Sequence, residues 1–438
     1  MLNYQFFALL FCVFMPTIAY TQAYNYETIN QTTKDFFVEK KWTELLTESH
    51  EAIKAGTDFY DLRLRRGLAY LNMKKYRRAL AEFEATQKFF PADTVGKYYL
   101  CAMHDALGNI PQAQQKANSL PAKHRTELAY KKQNLLEIGI FGSYTNFNAE
   151  NKINNIVQKE TGEWNAYRGL VGGGVYVSHL VGKKLAITHT ASGFAFQNFK
   201  KINYPNQKAI FYNDGVQIGG GTSAELYLPK QWKIKASLQY NHIGAYTQTF
   251  NTTKNIYEVN EFLQGGFLAG GSVKKGYKNL DFLFGTYWNN FLQYYTLQET
   301  AGLSYYPFSN ARFAVIAHIS FLQNLAETNA GYQNARLFLI KTNVQAYKSI
   351  WLSASYLKGD TQNFYDIENN AIYYTTDRTR QQFQVSAYFL LNKHLRLNVS
   401  YTHLTRESNQ FIAYNANATV KPITYNANQF TTLLAWRF

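Results

Sequence analysis

The chain is poor in the residues that would mark several common classes. Its 438 residues include only two cysteines and eight prolines, and Asp, Glu, Lys and Arg together make up 17%, against about a quarter in soluble domains. Cys12 sits in an apolar N-terminal stretch and Cys101 in a helical one, so no intramolecular disulfide framework is expected. Cys101 reads as a small buried core residue. Beyond the N-terminus there is no run of about 18 uncharged apolar residues, which excludes a bundle of membrane helices. The few prolines and the 46% apolar content exclude a collagen-like chain and global disorder. What the chain does have is aromatics, 35 Tyr and 32 Phe among them. A tyrosine-rich, strand-prone chain without apolar helices fits the membrane class that hydropathy conceals, the β-barrel.

The net charge of +16 is unevenly spread: residues 24–130 hold 16 basic and 13 acidic residues, whereas 131–438 hold 29 and 16. The basic residues fall at turns and at alternate strand positions, without a dense Lys/Arg run, so no nucleic-acid partner is expected. At the N-terminus, Phe6 to Ile18 is apolar and leads into Thr21-Gln22-Ala23, a small-residue cleavage site. Residues 1–23 are therefore expected to be a signal peptide. Phe11 is too large to precede a lipidated Cys12.

Residues 24–120 have a helical pattern with a period of 34: Trp42, Tyr76 and Ile110 share that spacing, as do Leu45, Ala79 and Ala113. The central copy, with Gly67, Tyr70, Tyr76, Ala79, Phe83 and Pro91, resembles the tetratricopeptide repeat (TPR). The resemblance implies helix pairs in which Gly67 and Ala79 allow close approach and Tyr70, Tyr76 and Phe83 fill the gap. It also implies a concave face that binds a protein partner, with Arg63, Arg65 and Arg66 as the candidate binding residues. Thr33 and Ser49 depart from the pattern in the first copy, Cys101 and Ala117 in the third. Residues 121–134 read as a basic linker with room for one further helix.

From Leu135 onward no helical pattern is convincing and alternation takes over. Trp232, Ile234, Ala236, Leu238 and Tyr240 share one face, with Lys233, Lys235, Ser237 and Gln239 on the other. Leu395 to Tyr401, Phe383 to Phe389 and Phe313 to Phe321 behave likewise, in runs long enough for a tilted membrane strand. Six short turns, near 182, 230, 276, 308, 348 and 392, alternate with seven longer polar connections, near 149–165, 198–208, 249–258, 290–293, 325–333, 360–379 and 407–426. The count implies about 14 antiparallel strands, within 12–16, in residues 135–438, with both barrel ends and the helical domain on the periplasmic side. The C-terminal run from Gln429, with Trp436 and Phe438 on one face, resembles the terminal-strand signal that the barrel-assembly machinery reads in bacterial outer-membrane proteins. The expected location is the outer membrane, in contact with its lipid.

Candidate chemistry is sparse. No HExxH motif or cysteine pair offers a metal site. His179 and His189 flank a short turn and can approach each other, an arrangement read as a chance pair. Ser400 and His403 fall on opposite faces, so no nucleophile–base pair is expected. Gly172–Gly174 and Gly219–Gly221 lack the context of a phosphate loop and read as strand glycines that relieve crowding. Neither enzymatic activity nor a cofactor is expected. If Trp232 and Phe438 face lipid, then Lys233, Lys235, Lys341, Arg396 and Arg437 face the lumen, with Asp281 as an acidic exception. Such a basic ring would either draw anions to the inner mouth or pair with acids and carbonyls in a plugged barrel. Glu299 falls on the lipid face of its strand, and a bulge is expected to turn it inward, or else a partner to contact it.

The order of domains resembles that of surface-polysaccharide exporters, in which periplasmic TPRs feed a barrel pore. The function expected is an outer-membrane component of an envelope transport, export or secretion assembly that recruits a periplasmic protein partner; an export pore, or a passive porin with a helical cap, are the alternatives. Deleting Phe438 should impair membrane insertion more than Arg437→Ala does, measured as the heat-modifiable fraction on a gel.

Overall fold

A computed structural model describes residues 25–157, 161–205, 207–251, 253–254, 256–291, 295–325, 334–362, 364–367, 371–373, 377–414 and 417–438. The expected signal peptide lies outside them. The chain divides into two compact units, one ending at Gly96 and the other running from Lys97 to Phe438.

The first unit holds four helices: α1 (Tyr26–Val38), α2 (Trp42–Lys54), α3 (Tyr60–Asn72) and α4 (Tyr76–Phe89). Asn25 caps α1 by accepting a hydrogen bond from the backbone of Glu27. Lys40 and Lys74 each reverse the chain in the left-handed conformation, with φ of 58°. Gly67 on α3 lies against the Phe83 ring of α4, and a Cβ at Gly67 would come within 2.5 Å of that ring. Leu62, Ala69, Ala79 and Phe83 are fully buried, whereas Tyr76 is only partly so. Small residues thus bring α3 and α4 together around one aromatic side chain.

The second unit takes up most of α5 (Thr94–Ala106), then α6 (Ile110–Asn118) and α7 (Ala122–Glu127), the short helix for which the linker had room. Helix starts at 26, 60 and 94, and at 42, 76 and 110, reproduce the 34-residue period. Cys101 is fully buried among Ala113, Ala117 and Leu120. Burial, and secondarily the charge of Asp105, push its thiol up to about 12, so it stays an unreactive packing group. Gln114 and Asn118 donate to the backbone carbonyls of Lys131 and Gln133, which fixes the approach to the first strand.

Fourteen strands close into an antiparallel barrel. In order they are β1 (Leu135–Phe147), β2 (Gly162–Val181), β3 (Leu185–Tyr204), β4 (Gln207–Leu228), β5 (Trp232–Asn251), β6 (Ile256–Tyr277), β7 (Leu280–Asn289), β8 (Thr296–Tyr305), β9 (Phe313–Asn324), β10 (Ala335–Tyr347) and β11 (Ile350–Lys358). A small hairpin, β12 (Phe364–Asp366) and β13 (Ala371–Tyr373), precedes β14 (Arg378–Leu390), β15 (Leu395–Tyr414) and β16 (Asn417–Arg437). Closure joins the two ends, from Glu137 opposite Arg437 to Phe147 opposite Ala427. All six expected short turns lie at the edge that carries the barrel ends. At the opposite edge three expected loops are instead largely strand: β3 and β4 pair as far as Tyr204 and Gln207, β5 and β6 as far as Asn251 and Ile256, and β15 and β16 as far as Tyr414 and Asn417. Their polar composition reads as loop, but a ribbon beyond the apolar band can be polar on both faces. A second correction is α8 (Ala149–Val157), a helix within the β1–β2 connection, where none was expected.

Exposed Trp232, Ile234, Leu238 and Tyr240 form the outward face of β5, and buried Lys235, Ser237 and Gln239 the inward one. Gly174 faces inward beneath the Phe141 ring, where a Cβ would collide with the aromatic edge. This close approach accounts for one glycine of the 172–174 run.

Glu299 corrects the sequence reading. No bulge occurs: β8 pairs in unbroken register with β7 and β9, Glu299 lying opposite Thr286 and Phe321. Thr296, Gln298 and Thr300 are buried on the inward face, so Glu299 faces outward with Leu297 and Ala301. Turning it inward by a register shift would expel those three polar neighbours into the lipid face, which a single carboxylate cannot outweigh. On the far side of Phe321, the Arg336 guanidinium lies 5.9 Å from the ring centroid, an outward cation two strands from Glu299. Glu299→Leu should therefore leave insertion intact and stabilise the barrel by about 1–2 kcal/mol, measured by denaturant unfolding in lipid.

Candidate functional site: the filled lumen and the inner mouth

The alternation that turns apolar side chains outward lines the lumen with Ser237, Gln239, Asn241, Gln298, Thr300 and Ser320, all buried. Two segments from the loop edge fold into this polar tube. The first is residues 364–367, which follow β11 in the chain. Gln298, fully buried, clamps one peptide of this segment: its Oε1 accepts from Tyr365 N at 2.8 Å and its Nε2 donates to Tyr365 O at 2.9 Å. The carboxamide thus serves as the hydrogen-bonding partner of a backbone that has left the ladder. Tyr365 also donates to Ser237 Oγ at 3.2 Å, and its ring centroid lies 4.6 Å from that of Tyr287. Lys235 Nζ donates to Ile367 O at 2.8 Å, so three wall strands, β5, β7 and β8, hold the segment.

The second segment is α8. Ala149 and Ile153 pack into an apolar cluster with Phe147, Trp164, Tyr167 and Phe196 that continues to Tyr365 and Ile367. Asn148 and Asn426 tie the start of α8 to β16: Asn148 N donates to Asn426 O at 3.0 Å and Asn426 N to Asn148 Oδ1 at 2.8 Å. Lys201 Nζ donates to Asn154 Oδ1 at 2.6 Å. The lumen therefore holds a core of its own, built from side chains far apart in the chain.

The cations expected to ring the inner mouth do face inward, and partners take up most of them. Lys233 lies 3.2 Å from Glu225, which also accepts from Tyr227 OH at 2.5 Å. Arg396 pairs with Glu137, which also accepts from Tyr176 OH. Arg437 lies 2.8 Å from Asp105 and donates to Tyr130 OH at 2.5 Å, with its guanidinium 5.5 Å from the Tyr130 ring centroid. Lys274 pairs with Asp281 at 3.3 Å. Lys235 serves the in-folded segment, and Lys341 sits on the inward face of β10 between Ile316 and Ser355. The mouth is thus a set of ion pairs rather than a uniform positive field, because a cation in a confined wall is held most favourably with its counter-charge beside it. Glu137, Glu225, Asp105 and Tyr130 escaped the sequence reading, since a lone acid in an alternating strand gives no sign of its partner.

Arg63, Arg65 and Arg66, the candidate partner-binding residues, also have partners within the helical unit. Arg63 bridges Asp58 at 2.6 Å and Glu82 at 2.8 Å, and Arg66 reaches Glu82 at 2.8 Å and Ser49 Oγ at 2.7 Å. Arg65 donates to Asn30 Oδ1 and Thr33 Oγ1 at 2.8 and 2.9 Å. Glu82 is nearly buried, so two guanidiniums are needed to compensate it.

Trp436 and Phe438 face outward at the barrel's terminal edge, with Trp436 stacked on His394 at 5.5 Å between centroids. Ser400 is buried inside, whereas His403 contacts Asn428 on the outer side. His179 and His189 come together on the outer wall.

No known protein family matches the chain, and no curated protein does. Among solved structures it is similar to the toluene transporter TodX of Pseudomonas putida, with 9% identity over 75% of this chain and 92% of that one and a TM-score of 0.45. A FadL homologue of Pseudomonas aeruginosa aligns at 10% identity over 76% and 93%, with a TM-score of 0.46. A bacterial polysaccharide outer membrane secretin aligns at 10% over 70% and 99%, with a TM-score of 0.36.

Replacing Gln298 with Leu removes both bonds to the Tyr365 peptide, and Lys235→Met removes the bond to Ile367. The double variant should insert normally and show more frequent or larger openings in planar-bilayer recordings than the parent chain.

Proposed function

We propose that this protein is an outer-membrane barrel of an envelope transport, export or secretion assembly, with its passage gated by the in-folded segment 364–367. One observation carries the reading: a segment enters the polar lumen and is held there through side-chain hydrogen bonds and one lysine. Such bonds exchange readily for water or for a passing polar solute, whereas ladder bonds do not. A permanently open, passive porin is the weaker reading, since α8 and the in-folded segment take up part of the lumen.

The helices before the barrel are proposed to be a TPR-type domain on the periplasmic side that docks a protein partner of the assembly. The repeat of helix starts every 34 residues supports this. The docking face is then sought away from Arg63, Arg65 and Arg66, whose charges are already used. Export of a surface polysaccharide is the second reading, favoured by the order of helical repeats and barrel.

The test is to reconstitute the full chain in planar bilayers and record conductance with and without an envelope extract. Low conductance that rises when a co-purifying partner is added supports the gated assembly. A large, constant conductance of the protein alone would overturn it in favour of a passive pore.

A further inference from the structure

His179 and His189 stand on neighbouring strands, each on the outward face: His179 shares its face with exposed Val175 and Val181, and His189 is itself exposed. The register pairs Val177 with His189 and His179 with Ile187, so the two histidines are diagonal neighbours across β2 and β3. Their Nε2 atoms lie 3.3 Å apart, and their ring planes are nearly parallel, at 22°, with centroids 5.4 Å apart. That separation is long for a good ring N–H bond of about 3.0 Å. It matches the spacing of two nitrogens on one tetrahedral metal, which at metal–nitrogen distances of about 2.0–2.1 Å is about 3.3 Å.

A third residue supports the ligand role. Thr222 of β4 lies directly opposite His189, and its Oγ1 is 2.9 Å from His189 Nδ1. When Nδ1 donates that bond, Nε2 keeps a free lone pair, the arrangement by which hydroxyls and carbonyls orient metal-bound imidazoles. All three residues stand on paired strands, so the nitrogens are held without a loop to order.

We propose that His179 and His189 form a two-histidine site for a borderline divalent cation, Zn²⁺ or Cu²⁺, on the outer wall of the barrel near its terminal edge. Imidazole pairs suit these metals above Mg²⁺ or Ca²⁺. Among the described residues no group of three or more His, Cys, Asp or Glu could hold a metal. The site is therefore an open one, its remaining positions filled by water, and the metal exchanges. The inference does not depend on the transport reading.

The test uses the full-length, tag-free protein in detergent, titrated with Cu²⁺ and followed by electron paramagnetic resonance, with Zn²⁺ as competitor. One equivalent should bind with a two-nitrogen signature that Zn²⁺ displaces. His179→Asn and His189→Asn should each weaken binding at least tenfold and leave a one-nitrogen signature, and Thr222→Val should weaken it several-fold. His403→Asn should leave binding unchanged, and heat-modifiable migration should show that every variant folds. Unchanged affinity and signature in the His179→Asn/His189→Asn double variant, or no two-nitrogen species in the parent, would overturn the assignment.

Discussion

The pairing of β1 with β16 is the constraint on which the rest depends. In a lipid interior an unpaired peptide group has no water to turn to, so the first and last strands must meet and leave no edge. Once they do, every residue of the wall is assigned to one of two solvents by parity. Trp232, Leu238 and Tyr240 meet lipid because Lys235, Ser237 and Gln239 point inward, and no side chain can change sides without a break in the ladder. Glu299 illustrates the strength of that rule: the ladder keeps its register and the carboxylate accepts the outer face.

A closed tube of fourteen strands encloses more space than its own side chains fill, and segments from the loop edge of this chain enter it. An inserted segment brings peptide groups into a wall whose backbone is already paired. Side chains therefore do the work of satisfying it: Gln298 for Tyr365, Lys235 for Ile367, and the Asn148 amide oxygen for the N–H of Asn426. The result is a core inside a barrel, apolar where Phe147, Trp164 and Tyr365 meet and polar at the wall.

Charge follows the same logic. Basic residues outnumber acidic ones, yet the inner mouth matches cation to anion, and Arg437 reaches past the last strand to Asp105 and Tyr130. The terminal residues thus do three things at once: Phe438 and Trp436 meet the membrane, their backbones close the sheet, and Arg437 holds the preceding helical segment to the barrel within one compact unit.

The sequence by itself determined the class of fold, the strand count, the inward and outward faces of strands such as β5, and the 34-residue period of the helices. These are local properties: a period of two or a recurring helix start is written in neighbouring residues, and backbone geometry converts it directly into a face. Only the tertiary structure decided which connection enters the lumen, which acid meets which base, and that two histidines stand at a metal-like spacing. Gln298 and Tyr365 are 67 residues apart, Lys235 and Ile367 132, and Arg437 and Asp105 332. Contacts at such separations exist because closure brings distant segments into one tube, and no local pattern encodes which of them will touch.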